Sequence, residues 1–403
     1  MSQNKALALP VAITGLGMVS PLGLTVEQNW ANAIKGVSGL TTLERYSHEG
    51  LSTLTTGEVK DFNSSNYFTD KQSSHMDRVS QYACVAAVEA IEDAGIDPQG
   101  DRTAVVLGSG APNIDTVCQT VRDRYVSDKR IPPLTIMKSM ANAPAANISM
   151  EHGITGPSLV VSTACASANH AMIYAYSLIS SGVADVVITG GCEASLTREF
   201  HEAWQNLYVL SKDTCRPFSK NRSGMVLSEG AGIVVMESLA HAKKRSARIH
   251  SLFLGGGMSS DAGQMVAPDS NGMISAMNKA LSSAGLSAND IDLVSAHGTG
   301  TQLNDKTETI AIKSVFDHDV AVTSTKSFHG HALGASAAFE AILTSQSLCE
   351  NIIPPTINYD EPDENCNLNI VANSAREESL NYALSNSFAF GGTNSSIILQ
   401  KAT

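Results

Sequence analysis

A cysteine stands where an apolar strand meets a helix of small residues. The segment 160–165 reads VVSTAC, and Met172, Leu178 and Ile179 then fall on one helical face. Cys165 would face the positive end of the helix dipole and unpaired backbone N–H groups, which predicts a lowered thiol pKa. The same groups could stabilise the oxyanion of a tetrahedral intermediate, so the junction suits covalent acyl transfer. Taken alone, a buried cysteine entering a helix is more often inert packing.

Three further polar segments follow apolar strands in the second half of the chain. They read SAHGTGT at 295–301, STKSFHGH at 324–331 and NSFAFGGTN at 386–394. A lone histidine would be read as a hydrogen-bonded core residue. Because Cys165, His297, Lys326 and His331 all stand at strand-to-loop switches, we expect them to share one site.

The two halves of the chain resemble each other in sequence. Helix–strand pairs with an Ala-Gly helix end occur at 90–96 with 104–107 and at 280–286 with 291–294. The segment 160–165 likewise has a counterpart at 322–326. The shared order predicts an internal duplication, with halves 1–248 and 249–403 meeting near Arg248.

The strand pattern predicts an α/β fold. Strands at 186–189 and 232–236 are apolar on both faces, as in sheets that helices cover on both sides. We therefore expect two sheets between helical layers, with functional residues where strand ends of both halves converge. The segment 15–20, GLGMVS, imitates a dinucleotide-binding loop but lacks the third glycine, so a strand-to-turn role is favoured.

Composition excludes several classes of protein. The formal charge of −12 argues against nucleic-acid binding, and no apolar run is long enough to span a membrane. The amino-terminal apolar run is too short for a signal sequence, and seven scattered cysteines favour a reducing compartment. A cytoplasmic location is therefore expected. The sequence shows neither a metal-ligand cluster nor a phosphate-binding loop, and no metal is expected.

Together these segments resemble the elongating β-ketoacyl-acyl-carrier-protein synthases of the thiolase superfamily, over essentially the whole chain. The resemblance is carried by TAC at 163–165, RSGMVLSEGAG at 222–232, AHGTGT at 296–301, ND at 304–305, STK at 324–326, GH at 330–331 and FGGTN at 390–394. It implies a five-layered αβαβα sandwich and usually a dimer.

The resemblance also implies catalytic roles. Cys165 would take the acyl group from an acyl carrier protein, with the backbone N–H groups of Cys165 and Phe390 forming the oxyanion hole. His297 and His331 would then donate hydrogen bonds to the thioester carbonyl of malonyl carrier protein as carbon dioxide leaves. Lys326 would hold this network in place.

Other residues would bind substrate. The resemblance implies that Glu340 supports the histidine network and that Thr299 and Thr301 bind the phosphopantetheine arm. Phe390 would act as a gate, in a loop whose Gly391 and Gly392 also belong to the substrate-binding set. No dissociable cofactor is expected, since loss of carbon dioxide drives the condensation.

The residue types at three positions distinguish this chain from other classes of the thiolase superfamily. A thiolase needs a second reactive cysteine in the terminal Gly-rich loop, where this chain has Thr393. An initiating synthase that uses acetyl-CoA carries asparagine in place of His331. A non-catalytic chain-length factor usually loses the nucleophile, whereas Cys165 is present here. An active elongating enzyme is favoured.

The pathway stays open between two alternatives. Ala111 stands where the family commonly has a bulky aliphatic residue, which would leave room for long or rigid acyl chains. Fatty-acid elongation and a type II polyketide or aryl polyene pathway both remain. The latter often pairs the active subunit with a chain-length factor, so a homodimer and a heterodimer are both open.

Docking of the carrier protein would use basic residues near the tunnel mouth. The candidates are Lys71, Lys129 and Arg130, with Arg124 as a further one. On an acidic chain each of them could equally be a solvated surface charge.

Overall fold

The computed structural model describes residues 10–402. The strands are β1 Val11–Val19, β2 Thr41–Thr42, β3 Thr55–Thr56, β4 Thr103–Gly108, β5 Ser158–Val161, β6 Val186–Glu193, β7 Gly230–Ser238, β8 Ser251–Ser260, β9 Leu293–Ser295, β10 Ala321–Thr323, β11 Ile352–Ile353, β12 Asn369–Ile370, β13 Arg376–Glu377, β14 Tyr382–Ala389 and β15 Thr393–Lys401. The helices are α1 Val26–Ile34, α2 Asp70–His75, α3 Arg78–Ala94, α4 Ile114–Tyr125, α5 Thr135–Ser139, α6 Ala143–Glu151, α7 Ser167–Ser180, α8 Arg198–Asn206, α9 Leu239–Lys244, α10 Ser270–Ala284, α11 Gln302–Val315, α12 Lys326–His329 and α13 Ser336–Glu350.

Both halves of the chain build their strands in the same order. From the joint outward, the first half reads β1-β7-β6-β4-β5 and the second reads β8-β15-β14-β9-β10, with β12 added at the edge. If the five strands of each half are numbered in chain order, both halves arrange them as first, fifth, fourth, second and third. The repeated topology is the structural form of the duplication seen in the sequence.

The two arrays of strands are joined, which differs from the expectation of two separate sheets. β1 and β8 pair antiparallel over three residue pairs, from Val11 with Phe253 to Ile13 with Ser251. All eleven strands therefore belong to one hydrogen-bonded sheet. The pairing satisfies backbone groups that would otherwise remain open on the first strand of each half.

Helices cover the sheet in layers. α7 and α13 lie between the strands of the two halves, since α13 contacts β7 as well as β14 and α7 contacts β6 as well as β8. Twelve of the 15 residues of α13 are buried, as a central position requires. α3 covers β1 and β7 on one outer side, and α10 covers β8 and β15 on the other. The result is a five-layered α/β arrangement.

Glycines in the strands allow the outer helices to approach closely. A Cβ at Gly15 or Gly17 would lie 2.0 or 1.9 Å from the carbonyl oxygens of Ala90 and Ala86 in α3. In the second half, a Cβ at Gly257 would meet a carbonyl oxygen of α10 at 2.1 Å. The GLGMVS segment thus packs β1 against α3, and its glycines serve no phosphate loop.

Two further predictions concern the chain ends and the membrane. Residues 1–9, for which no signal sequence is predicted, lie outside the described residues. Within residues 10–402, no helix combines the length and apolar character needed to cross a membrane. All seven cysteines are free thiols in this part of the chain.

Candidate active site

Cys165 lies in a strained turn between β5 and α7. Ala164, the residue before it, has φ +49°, a left-handed conformation that residues with a Cβ seldom adopt. The side chain of Ser167 holds this turn, because its Oγ accepts from Thr163 N at 2.9 Å and donates to Ala164 O at 2.6 Å. The turn places the thiol at the start of the helix, inside the protein.

His331 contacts the cysteine directly. Its Nε2 lies 3.0 Å from Cys165 Sγ, and its Nδ1 lies 2.9 Å from the Oγ of Ser336, the first residue of α13. The backbone of His331 is held on both sides, since its N–H donates to Val226 O and its carbonyl accepts from Ser228 N. The segment 222–232, which helps to carry the family resemblance, therefore positions this histidine.

His297 is fixed by charged neighbours. Its Nδ1 lies 3.3 Å from Lys326 Nζ, and the Lys326 ammonium also contacts the Glu340 carboxylate. An ammonium group can only donate, so Nδ1 of His297 accepts and its proton resides on Nε2. The backbone N–H groups of His297 and Gly298 donate to the two oxygens of Glu308, each at 2.8 Å.

The three reactive side chains share one cavity, as the sequence predicted. The Sγ atom of Cys165 and one ring nitrogen each of His297 and His331 lie within 4.8 Å of one another. The two imidazole rings meet edge to face, with centroids 5.4 Å apart. They open into a largely apolar cavity of about 290 Å³, whose lining also includes Thr299, Thr301, Met225, Phe390, Gly392 and Trp204.

The predicted lowering of the Cys165 pKa is wrong. Burial raises the pKa of the Cys165 thiol to about 12, against the opposing effect of the Lys326 charge. The removal of the sulfur from water outweighs both the Lys326 charge and the backbone hydrogen bond at Cys165, which would lower the pKa. Cys165 is therefore a thiol at neutral pH, and a base able to accept its proton would have to lie next to it.

The histidines are suited to that task because they are neutral. Burial, followed by the positive charge of Lys326, holds the pKa values of His297 and His331 well below 6.5. A neutral imidazole carries one donor and one acceptor nitrogen, so it can take a proton or give a hydrogen bond. Burial also raises the pKa values of Glu308 and Glu340 to about 7.

The Gly-rich loop closes one side of the cavity. The Phe390 ring stacks on Trp204 of α8, with centroids 5.7 Å apart and planes 24° apart. The N–H of Gly391 donates to Met265 O at 2.7 Å. Gly391 and Gly392 have φ +84° and +69°, values that glycine adopts without strain.

The remaining sequence candidates lie outside this cavity. Ala111 does not line it, and its backbone N–H donates to the carboxylate of Glu193. Lys71 is on α2, and Lys129 and Arg130 follow α4. None of these three residues lines the cavity.

Two of the basic candidates are engaged by acids of the same chain. Lys129 Nζ lies 3.0 Å from Asp123 Oδ1, and Arg124 contacts Asp128. Each pair is exposed enough for water to screen it, so the charges remain available to a partner at reduced strength.

Sequence reasoning missed four residues that shape the site. Glu308 and Ser336 hold the histidines, Trp204 supports Phe390, and Glu193 binds the Ala111 loop. Only Trp204 had a signal, because Phe200 and Trp204 stand four residues apart on a strongly amphipathic helix. Glu308 and Glu193 bind backbone N–H groups, and Ser336 contacts the His331 side chain five residues away, so no residue pattern marked these three.

Comparison with known proteins agrees with this geometry. The family models described as "Beta-ketoacyl synthase, N-terminal domain" and "Beta-ketoacyl synthase, C-terminal domain" match residues 8–242 and 250–360. Nodulation protein E of Rhizobium meliloti is 40% identical over 390 residues, which cover 95% of this chain and 97% of that protein.

A second relative and a solved structure extend the comparison. The 3-oxoacyl-[acyl-carrier-protein] synthase 2 of Vibrio harveyi is 36% identical over 408 residues, 97% of this chain and 98% of that protein. The solved ishigamide ketosynthase/chain length factor superposes with a TM-score of 0.95 at 35% identity, covering 98% of this chain and 100% of that one. The chain belongs to the β-ketoacyl synthase family and is an acyltransferase-type condensing enzyme.

Proposed function

We propose that this chain catalyses decarboxylative Claisen condensation between an acyl group on Cys165 and a malonyl group on an acyl carrier protein. The observation that carries the proposal is the single cavity into which one thiol and two neutral imidazoles project. A nucleophile with an adjacent base suits the acyl-transfer step, and paired donors suit the decarboxylation step.

The first half-reaction transfers the acyl group. His331 Nε2, 3.0 Å from Sγ, takes the thiol proton as the sulfur attacks the acyl thioester. Ser336 Oγ accepts from the Nδ1–H of His331 in this state. The tetrahedral intermediate expels the phosphopantetheine thiolate, which receives the proton from His331, so the enzyme keeps only the acyl group.

The second half-reaction forms the carbon–carbon bond. His297 presents Nε2–H because Lys326 donates to its Nδ1, and His331 presents Nε2–H when the Ser336 hydroxyl donates to its Nδ1. The two N–H groups bind the malonyl thioester oxygen as the carboxylate leaves as carbon dioxide. The enolate carbon attacks the acyl carbonyl, and Cys165 departs as a thiolate that takes up one proton from solvent.

A direct assay tests the proposal. The purified chain is supplied with an acyl carrier protein bearing a C8 acyl group and with malonyl carrier protein, and both carriers are followed by mass spectrometry. We expect a β-ketoacyl carrier protein two carbons longer, together with one equivalent of carbon dioxide. The assay is repeated with saturated and with polyunsaturated acyl carrier proteins. The proposal is rejected if none of them acylates the enzyme and no β-ketoacyl product forms.

The role of Lys326 predicts a change in pH dependence. Burial lowers the histidine pKa values, and the Lys326 charge lowers them further. Protonation of His331 at Nε2 would remove the base that accepts the Cys165 proton in the first half-reaction. In the Lys326→Met variant the histidine pKa values should rise, so activity should be lost at a higher pH on the acid side than in the wild type. An acid limb of kcat at the same pH in both proteins would contradict this role.

The same site also fits a ketosynthase subunit of a type II polyketide or polyene pathway. The likeness to the ishigamide ketosynthase/chain length factor supports this second candidate, which would act with a chain-length-factor partner. Among residues 10–402, strand β5 pairs only with β4, at the sheet edge. Exposed apolar side chains on the neighbouring 117–140 segment include Val121, Tyr125 and Met137. A second subunit of this fold, identical or homologous, would cover them.

Acyl groups trapped on the protein separate the two pathways. Mass spectrometry of the Cys165 peptide purified from its own cell should show saturated chains for fatty-acid elongation. Polyunsaturated or polyketide chains would favour the second pathway. Native mass spectrometry of the same preparation distinguishes a homodimer from a heterodimer.

Carrier-protein docking is proposed at Lys71, Lys129 and Arg130. Reversing Lys129 and Arg130 to glutamate should raise KM for the carrier protein about three- to tenfold, with kcat unchanged. The matched control is Lys243→Glu with Lys244→Glu on the exposed end of α9. An equal effect of both double variants would assign the change to net charge and remove Lys129 and Arg130 from the docking surface.

A further inference from the structure

Glu193 ends strand β6 and is fully buried. Its Oε2 accepts hydrogen bonds from Gly110 N at 2.8 Å and Gly334 N at 3.0 Å, and its Oε1 accepts from Ala111 N at 3.2 Å. None of the ion pairs in residues 10–402 includes this carboxylate. One acid thus binds backbone N–H groups from two segments far apart in the chain.

The side chain of Glu193, from strand β6, reaches the junction between these two backbone segments. The two backbone segments are so close that a Cβ at Gly334 would lie 2.3 Å from Gly110 N. A Cβ at Gly191 would lie 2.4 Å from Gly334 O. The converging N–H groups have no backbone carbonyl as a partner, and buried N–H groups without an acceptor are costly. Glu193 supplies the acceptor that this packing needs.

Both segments lead to the reacting atoms. Gly334 follows His331 by three residues, and the intervening Leu333 has φ +43°, a strained conformation for a residue with a branched side chain. On the other side, Gly110 O accepts from the hydroxyl of Ser162, which precedes the strained turn at Ala164. Strain of this kind persists only where the surroundings hold it.

We propose that Glu193 is a positioning residue that sets the contact between Cys165 and His331 and holds the Ala111 loop beside it. Its carboxylate binds Gly334, which follows His331, and Gly110, which lies beside the turn that holds Cys165. Both segments are thereby attached to strand β6. The inference deepens the proposed condensation reaction but does not require it, because the Cys165–His331 contact also governs simple alkylation of the thiol.

Alkylation by iodoacetamide supplies the test. The rate at Cys165 is followed by peptide mass spectrometry, which separates it from the partly buried Cys118 and Cys349. In Glu193→Gln one oxygen is retained, but an amide donor faces a backbone N–H. We expect alkylation of Cys165 to slow at least about tenfold, and kcat for condensation to fall about 100-fold with KM for malonyl carrier protein within about twofold.

The direction of the change separates positioning from charge. Burial raises the pKa of the Cys165 thiol most, and the negative charge of Glu193 adds to that effect. Burial raises the pKa of Glu193 itself to about 7, so alkylation is compared above that pH, where the carboxylate is charged. If the residue acted through charge alone, its neutralisation would make the thiol more acidic and alkylation faster. Slower alkylation therefore supports positioning, and faster or unchanged alkylation overturns it.

The matched control is Glu89→Gln on α3. Glu89 also accepts two backbone N–H groups, from Met18 at 2.8 Å and Val26 at 2.7 Å, but these belong to β1 and α1, which contribute no residue to the cavity lining. Both variants should lose thermal stability, whereas only Glu193→Gln should slow alkylation. If Glu193→Gln does not fold, Glu193→Asp carries the same test, because its shorter side chain cannot reach both segments. If Glu193→Gln slows alkylation but the wild type itself shows no condensation, the positioning role stands and the proposed function is rejected.

Discussion

Replacement of Cys165 by glutamine is expected to abolish condensation, with a loss in kcat of at least about 10⁴-fold. No other thiol among the residues that line the cavity could accept the acyl group. Decarboxylation of malonyl carrier protein should persist, because His297 and His331 do not need the sulfur in order to bind the thioester oxygen. The neutral amide of glutamine occupies the place of the acylated side chain.

Two measurements check this division of labour. Carbon dioxide release from malonyl carrier protein reports the decarboxylation, and the β-ketoacyl product reports the condensation. Cys84→Ala, which removes a buried thiol from α3, is the control and should retain both activities. Loss of both activities in folded Cys165→Gln would contradict the separate action of the histidines.

The two histidines should fail in different ways when each is replaced by alanine. His331→Ala removes the group 3.0 Å from Cys165 Sγ, so both acyl transfer and decarboxylation should fall by about 10²- to 10⁴-fold. His297→Ala removes a donor that Lys326 orients but that makes no hydrogen bond with the sulfur. Its decarboxylation should fall by a similar factor, while acylation of Cys165 should change less than about tenfold.

Single-turnover kinetics separates these outcomes. Acylation is measured with acyl carrier protein alone, by the mass of the enzyme, and decarboxylation is measured with malonyl carrier protein alone. Equal losses in both half-reactions for both variants would mean that the two imidazoles form one unit, and the separate assignments would be wrong.

The sequence predicted the parts of the site that depend on chain order. Cys165, His297, Lys326 and His331 each follow an apolar strand, and in a duplicated fold the strand ends of the two halves are expected to converge. The duplication likewise follows from order, since similar helix–strand pairs recur in both halves. These features need only local patterns and the rule that strand ends converge.

Features that depend on packing between distant segments could not be predicted from the sequence. The joining of β1 to β8 arises from pairing between two strand edges, which no local pattern encodes. The raised pKa of Cys165 follows from burial, whereas the sequence shows only the helix start that would lower it. Glu193 and Glu308 bind backbone N–H groups of other segments. Almost every residue carries a backbone N–H, so residue types cannot indicate which of them binds a carboxylate.

The proposed mechanism requires one sulfur to carry the acyl group within reach of both imidazoles. Intact-protein mass spectrometry tests it most directly, with wild type and Cys165→Gln each mixed first with acyl carrier protein and then with malonyl carrier protein. The wild type should gain the mass of one acyl group on Cys165 and lose it when the malonyl substrate arrives, as a β-ketoacyl carrier protein forms. A gain of mass at another residue, or an acyl group that malonyl carrier protein does not remove, would contradict the account.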